Sequence, residues 1–186
     1  MMRMMLAAAA VLTLAACNQG NGAALPPVQP GAQAPSTQTP QPTTQQAQIT
    51  DEVRQQLITG MDTLLDNYQS QFAASMGPVQ GMDDQVVALQ PGTDNRWSVN
   101  LTGGTPYTFL GACDGDCNNV DIELIDMRTG GVVASDMLAD DYPVVAFTPP
   151  ADGQYIARLL LQNCTVAPCY TGTRVVSQTA GGAAPK

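Results

Sequence analysis

The second half of the chain alternates apolar and polar positions with the two-residue period of β-strands. Residues 97–101 and 121–125 each place apolar side chains at every second position. Turn-forming residues separate such runs at roughly ten-residue spacing, with no helical pattern between them. This texture is typical of a β-sandwich, so we predict a mainly β domain over residues 83–176. Eight strands are predicted, over residues 85–89, 96–101, 107–112, 120–125, 132–135, 144–148, 154–162 and 170–176.

One amphipathic α-helix is predicted ahead of the strands, in the segment 49–77. Thr50 is a suitable N-cap, and two acidic residues follow it in the first turn. Gly77-Pro78 ends the helix after about residue 76. The helix either packs against the following domain or serves as a docking or oligomerisation helix. Its apolar stripe recurs at three- and four-residue spacing and consists of Val53, Leu57, Met61, Leu64, Leu65, Tyr68 and Phe72.

A long polar segment precedes the helix. Residues 18–48 contain no Asp, Glu, Lys or Arg and no aromatic residue, and are rich in Gln, Pro, Ala, Thr and Gly. Such a composition buries too little apolar surface to offset the entropy of ordering. We therefore predict a disordered tether over residues 17–48, a plain spacer rather than a PxxP recognition motif. Residues 177–186 are predicted to form a disordered tail.

The N-terminus resembles an export signal. Residues 1–16 contain one basic residue, Arg3, and then an apolar run that is too short to span a bilayer. Leu14-Ala15-Ala16-Cys17 resembles the bacterial lipobox, in which the cysteine is acylated and becomes the first mature residue; an ordinary signal peptide with a chance cysteine is the alternative. The resemblance implies a lipoprotein of the cell envelope, held on the membrane by acyl chains such as palmitate. In the sorted lipoproteins that this stretch resembles, an Asp directly after the cysteine favours retention in the inner membrane; the resemblance, with Asn18 at this position, therefore implies the outer membrane.

The net charge and the absence of histidine argue against several classes of function. Seven Lys+Arg against sixteen Asp+Glu give a net charge of −9, which argues against a nucleic-acid partner. The sequence has no histidine, and its one lysine is the last residue, Lys186. Nucleophile systems of the Ser-His, Cys-His and Ser-Lys types are therefore not expected. We predict a protein that is not an enzyme; an enzyme would have to use carboxylates and tyrosines.

Four cysteines lie in the predicted β-domain: Cys113, Cys117, Cys164 and Cys169. An even number in an exported chain indicates two disulfides, and four thiols permit three pairings. We favour 113–117 and 164–169, because each pair brackets a short loop of turn-forming residues. A tetrathiolate zinc site is the rival interpretation, but these spacings are unusual for zinc.

An acidic loop follows the first of these cysteines. Asp114, Asp116 and Asn118 occupy alternate positions, with Asp121 close behind. Oxygen ligands at alternate positions suit Ca²⁺, although the twelfth position of an EF-hand, which requires Glu, is Ile125 here. An irregular calcium site at Asp114, Asp116, Asn118 and Asp121 and a solvated acidic loop are both compatible with this pattern. No other cofactor is predicted.

Three short stretches resemble one known family. They are Gly104-Thr105-Pro106-Tyr107-Thr108-Phe109, Val120-Asp121-Ile122-Glu123-Leu124-Ile125-Asp126 with Gly130, and Pro143 to Pro149 with Gly153-Gln154-Tyr155. Their order and spacing are similar to those of the bacterial pre-peptidase C-terminal domain. The resemblance implies a jelly-roll-like β-sandwich that serves secreted proteins as an accessory module.

These observations predict an envelope lipoprotein that displays a non-catalytic β-sandwich. The expected partners are the membrane, through the N-terminal lipid, and an envelope protein or a surface glycan. The alternative is an accessory enzyme or protein-maturation factor that uses the acidic loop between Asp114 and Asp121.

Overall fold

The structure, a computed structural model, describes residues 20–41 and 45–178. The predicted signal peptide, the lipidation site at Cys17 and most of the predicted tail therefore lie outside the described residues. Among the described residues, one helix and twelve strands surround two apolar cores.

All eight predicted strands are present, each within three residues of its predicted ends. They are β4 (Gln85–Leu89), β5 (Thr93–Leu101), β6 (Tyr107–Cys113), β7 (Cys117–Asp126), β8 (Val132–Asp136), β9 (Val144–Phe147), β10 (Gly153–Cys164) and β12 (Cys169–Ser177). Four shorter strands were not predicted: β1 (Gly20–Gly22), β2 (Gln45–Gln46), β3 (Gly77–Pro78) and β11 (Val166–Ala167).

Two five-stranded sheets form the predicted β-sandwich. Sheet one has the order β1-β5-β10-β7-β8; in sheet two β3 and β4 both pair with β12, and β6 and β9 follow. All pairings in these sheets are antiparallel except that of β1 with β5. The mainly β prediction is therefore confirmed.

The inward faces of the two sheets form the larger apolar core. Every second residue of β10, from Tyr155 to Leu161, points into it, as do Val120, Ile122 and Leu124 of β7. Phe109 and Val175 of sheet two complete the same cluster. The alternation that predicts these strands is thus the alternation that fills the sandwich.

The helix α1 (Asp51–Phe72) packs on the outer face of sheet two. The Thr50 side chain accepts a hydrogen bond from the amide of Val53, which confirms the predicted N-cap. Met61 and Leu65 are buried against β12, where Leu65 approaches Gly172. Of the two interpretations of the apolar stripe, packing on the domain is therefore the one observed.

The predicted helix end near residue 76 is wrong by four residues. The helix ends at Phe72, and the amide of the capping residue Ala73 donates to Gln69. Gly77-Pro78 then pairs with the end of β12, and Met76 joins the core beneath the helix. The chain leaves the helix early because this pairing requires extended backbone.

The predicted disorder of the polar segment is wrong for residues 20–41, which we call the strap. The strap begins as β1 along β5, and the amide of Gln29 donates to the carbonyl of Thr129 at the other end of sheet one. It then returns across the outer face of that sheet, where the amide of Val132 donates to the carbonyl of Gln33. Prolines lower the entropic cost of this extended path, and the backbone supplies the hydrogen bonds, so no apolar pattern is needed.

Candidate functional site

Two disulfide-closed loops lie together at one end of the sandwich, which we call the disulfide end. Cys113 is bonded to Cys117 and Cys164 to Cys169, with Cα–Cα distances of 5.9 and 6.2 Å. The predicted pairing is confirmed, and the zinc interpretation is wrong because all four thiols are used in these bonds. Each bridge closes a short loop in which the chain crosses from one sheet to the other, from β6 to β7 in the first case and from β10 to β12 in the second.

The two loops are also hydrogen-bonded to each other. The amide of Thr165 donates to the carbonyl of Asp116 at 2.7 Å, and the Thr165 hydroxyl donates to the same carbonyl at 3.0 Å. On the other side, the amide of Tyr170 donates to Asp114 Oδ2 at 2.7 Å. The disulfide end is therefore a cross-tied assembly of both loops.

The structure does not bring the predicted calcium ligands together. Asp114 accepts from the amides of Asp116 and Tyr170, and Asp116 accepts from the Thr165 hydroxyl. Asp121 instead lies on β7, buried in the outer face of sheet one. Among the described residues, no group of three or more His, Cys, Asp or Glu side chains is placed to hold a metal ion. The four residues lie apart because β7 begins at Cys117, so Asn118 and Asp121 belong to a strand, where side chains alternate between faces.

Asp121 has an unusual environment for a carboxylate. Its side chain is 2% exposed; Oδ2 accepts from Gln162 Nε2 at 2.6 Å, while Oδ1 is buried and finds no hydrogen-bond partner among the described residues. Burial raises the pKa of Asp121 to about 6, against the lowering effect of the Gln162 hydrogen bond. The repulsion of Asp136 and Glu123 adds to the increase.

A charged cluster is buried between sheet one and the strap. Arg158, 2% exposed, forms ion pairs with Asp94 (Nη2 to Oδ2, 2.5 Å) and Glu123 (Nη1 to Oε2, 2.9 Å). Arg96 adds a second pair to Asp94, Nη2 to Oδ2 at 2.9 Å. The amide of Ser36 in the strap donates to Glu123 Oε1 at 2.9 Å, and Arg158 Nη1 donates to the Ser36 carbonyl at 2.7 Å. These contacts connect the cluster to the strap as well as to the sheet.

Sequence reasoning did not identify this cluster. Arg158 is a charged residue in the middle of the apolar run 155–161, and the positions facing it on both neighbouring strands, Arg96 and Glu123, are also charged. A lone charge in a strand that is otherwise apolar requires a buried partner. That rule, applied to the strand pattern, is the signal that could have predicted a cover over sheet one.

A cavity of about 470 Å³ lies at the end of the sandwich opposite the disulfides. It is open to solvent, and the acid–base pair Asp126 and Arg128 lies on its wall, joined at 3.2 Å. The same wall contains Tyr155, which is almost fully buried. The charged pair and the backbone of this cavity offer hydrogen-bonding groups to a small ligand or a peptide, beside apolar side chains such as Met127 and Pro150.

Exposed apolar side chains are concentrated in the loop between β8 and β9, residues 137–143. Met137, Leu138 and Tyr142 are 43%, 66% and 42% exposed. The Tyr142 ring stacks on Phe72 at the end of α1, with ring centroids 5.9 Å apart, and Tyr68 contacts both rings. This patch, residues 137–142 with Phe72, joins the helix to the edge of the sandwich.

No protein-family model matches this chain, and no curated protein matches it. No helix among the described residues has the length and apolarity needed to cross a bilayer.

Proposed function

We propose that the protein is an envelope lipoprotein, anchored through an acylated Cys17, which displays a non-catalytic β-sandwich as a binding or structural module. The main support is the lipobox-like stretch Leu14-Ala15-Ala16-Cys17, and the strap determines where such an anchor would hold the domain. The first described residue of the strap, Gly20, lies three residues after Cys17 and already belongs to strand β1. A lipid on Cys17 would therefore hold the sandwich itself at the membrane surface, instead of the end of a loose tether.

The hydrogen bonding of the acidic loop and the burial of the Arg158 cluster support a binding module over an enzyme. The carboxylates of the acidic loop accept hydrogen bonds from backbone and hydroxyl groups of the neighbouring loop. The charged cluster around Arg158 is buried beneath the strap. The buried cluster is closed to a substrate, and the carboxylates of the acidic loop, although Asp116 is exposed, hold the two disulfide loops together.

An accessory enzyme or maturation factor is the second candidate, and Asp121 favours it. Its raised pKa and its unpartnered Oδ1 are properties of a general acid or base. A substrate would have to displace covering chain to reach a side chain that is 2% exposed. We therefore place this candidate second.

Metabolic labelling tests the anchor. A fatty-acid analogue should label the wild-type protein and should not label Cys17→Ala, while Asn18→Ala serves as the matched control at the neighbouring position. The labelled protein should sediment with outer-membrane fractions. Equal labelling of the wild type and Cys17→Ala would contradict the proposal.

Crosslinking in intact cells tests the binding role. A photoreactive amino acid at position 151, on the cavity wall, should capture an envelope protein or a glycan. A hydrolytic activity of the purified protein that is lost in Asp121→Asn would favour the second candidate instead.

A further inference from the structure

We infer that the disulfide end of the sandwich faces the bilayer, and that the loop 137–142 contacts the headgroups of zwitterionic phospholipid. This inference depends on the proposed acylation of Cys17. It concerns which surface meets the lipid, a separate question from whether the lipid is attached.

The register of β1 determines which end lies near the anchor. Gly20 pairs with Asp94, one residue after the start of β5, and the turn 90–92 that precedes β5 belongs to the disulfide end. Three residues of chain span at most about 11 Å, so Cys17 stays within this distance of Gly20. Leu101, at the other end of β5, is about 23 Å away from Asp94. The anchor is therefore attached to the disulfide half of the sandwich.

A single anchor point would still allow the domain to tilt onto the β1 edge. The exposed apolar loop supplies a second point. In sheet one, four residues on neighbouring strands pair in register across the sheet: Gly20, Asp94, Leu160 and Asp121. The last residue of β8, Asp136, pairs with Ile122, so β8 ends one residue before the level of these four. The chain then continues towards the disulfide end, where the amide of Val120 donates to the carbonyl of Asp140. The loop therefore lies at the same end as Gly20.

The two points lie at opposite edges of sheet one. β1 and β8 are separated by four strand spacings, about 19 Å. A lipid at one edge and exposed Leu138 and Tyr142 at the other would together place the end of the sandwich, rather than its side, against the bilayer. Exposed aliphatic and tyrosine side chains are suited to the membrane interface.

Three carboxylates lie at this loop, those of Asp136, Asp140 and Asp141, and the first two accept hydrogen bonds from backbone amides. Asp136 accepts from the amides of Leu138 and Val144, and Asp140 accepts from the amide of Tyr142. These two carboxylates are held by the backbone of their own loop. The net charge of −9 still disfavours an anionic surface, which is why we specify zwitterionic headgroups. In this orientation the 470 Å³ cavity points away from the membrane, where a partner can reach it.

Depth-dependent quenching tests the orientation. Full-length protein, whose acylation is first established by mass spectrometry, is reconstituted into phosphatidylcholine vesicles that contain a lipid spin-labelled at the headgroup. A fluorescent amino acid is placed at position 138 or, as the matched control, at position 151, an exposed position at the opposite end. The Cys17→Ala protein, mixed with the same vesicles, provides the baseline for collisional quenching.

We expect loss of most of the fluorescence at position 138, and at position 151 no more loss than in the Cys17→Ala baseline. Equal quenching at the two positions, stronger quenching at position 151, or no quenching at either would overturn the orientation while leaving the anchor intact. An unacylated Cys17 would instead overturn the proposed function. Unquenched fluorescence at position 138, together with photocrosslinking from that position to a protein in cells, would assign the loop to a protein partner and also overturn the inference.

Discussion

Ser36 and Arg158 are 122 residues apart in the chain, yet the Arg158 guanidinium donates to the Ser36 carbonyl at 2.7 Å beneath the strap. The same guanidinium neutralises Glu123 and Asp94, so a single side chain joins three strands and the strap. A buried ion network of this kind is costly to desolvate but is still costlier to break on one side.

Replacing Arg158 should therefore destabilise the protein strongly. In Arg158→Met, Glu123 loses its cation and Asp94 retains Arg96 alone, so we expect the free energy of unfolding to fall by about 3–5 kcal/mol. Urea unfolding followed by circular dichroism measures the loss. Arg128→Met is the control, because the Arg128 side chain is 84% exposed and its ion pair with Asp126 should contribute less than about 1 kcal/mol. Equal losses in the two variants would show that the buried network is not what stabilises this face.

Gly130 allows the strap to pass close to the turn between β7 and β8. Its φ is +68°, and a Cβ atom there would lie 2.3 Å from the carbonyl oxygen of Pro27. Gly130→Ala should therefore displace the strap and accelerate hydrogen exchange at the amides of Gln29 and Val132, which bond across this contact. The measurement is exchange followed by mass spectrometry.

Gly104→Ala is the control variant, because it introduces the same backbone strain as Gly130→Ala without contacting the strap. Gly104 has a similar φ of +77°, but nothing lies within 4 Å of its added Cβ. Both variants incur the strain of roughly 1–2 kcal/mol that L-residues have in this region. If Gly104→Ala accelerated exchange in the strap as much as Gly130→Ala does, the close approach to Pro27 would not be the cause.

The sandwich could be predicted from the sequence because its signals are local. Alternating positions such as 121–125 determine which face of a strand is buried, and four- and five-residue spacings around turn-forming residues favour local pairing of the cysteines. Thr50 likewise predicts the start of the helix from a side-chain hydrogen bond within the first turn. Each of these features depends on neighbours in the chain.

The strap could not be predicted in the same way, because it is held by non-local backbone hydrogen bonds. The Gln33 carbonyl accepts from Val132, and no property of the Gln33 side chain is required. The candidate calcium ligands do not converge for a related reason. The side-chain direction of Asp121 follows from the start of β7 at Cys117, and not from the spacing of the carboxylates in the sequence. The path of the strap and the position of Asp121 both depend on strand and backbone pairing between distant parts of the chain.

Truncating Leu65 tests how much the helix contributes to stability. Leu65 is fully buried between α1 and β12, so Leu65→Ala should lower the free energy of unfolding by about 2–5 kcal/mol. Val53→Ala, in the same stripe but 39% exposed, should cost less than about 1 kcal/mol. Urea unfolding compares the two. A small loss at Leu65 would mean that the helix contributes little to the stability of the sandwich.

Calcium should leave the stability of the disulfide end unchanged. The carboxylate oxygens of Asp114 already accept backbone amides, and Asp121 lies elsewhere, so a cation would have to displace these bonds. We expect the same melting temperature in excess Ca²⁺ as in Na⁺ of matched ionic strength. A calcium-specific increase that vanishes in Asp116→Asn would restore the site that the sequence suggests.

Asp121 makes the stability of the protein depend on pH. Its pKa of about 6 in the folded state lies above the ordinary value of 3.8, so the folded state binds the proton more tightly than the unfolded state does. The contribution of this carboxyl group to folding is therefore fully present below about pH 4 and is lost as the pH rises to 6 and above. Asp121→Asn, which cannot ionise, should be more stable than the wild type at pH 7.5 by about 1–3 kcal/mol, and this gain should shrink towards pH 4. Urea unfolding between pH 4 and 8 measures the difference, with Asp62→Asn on the exposed face of α1 as the control. A gain in Asp121→Asn that stays constant with pH would show that packing, and not burial of the charge, distinguishes the two side chains.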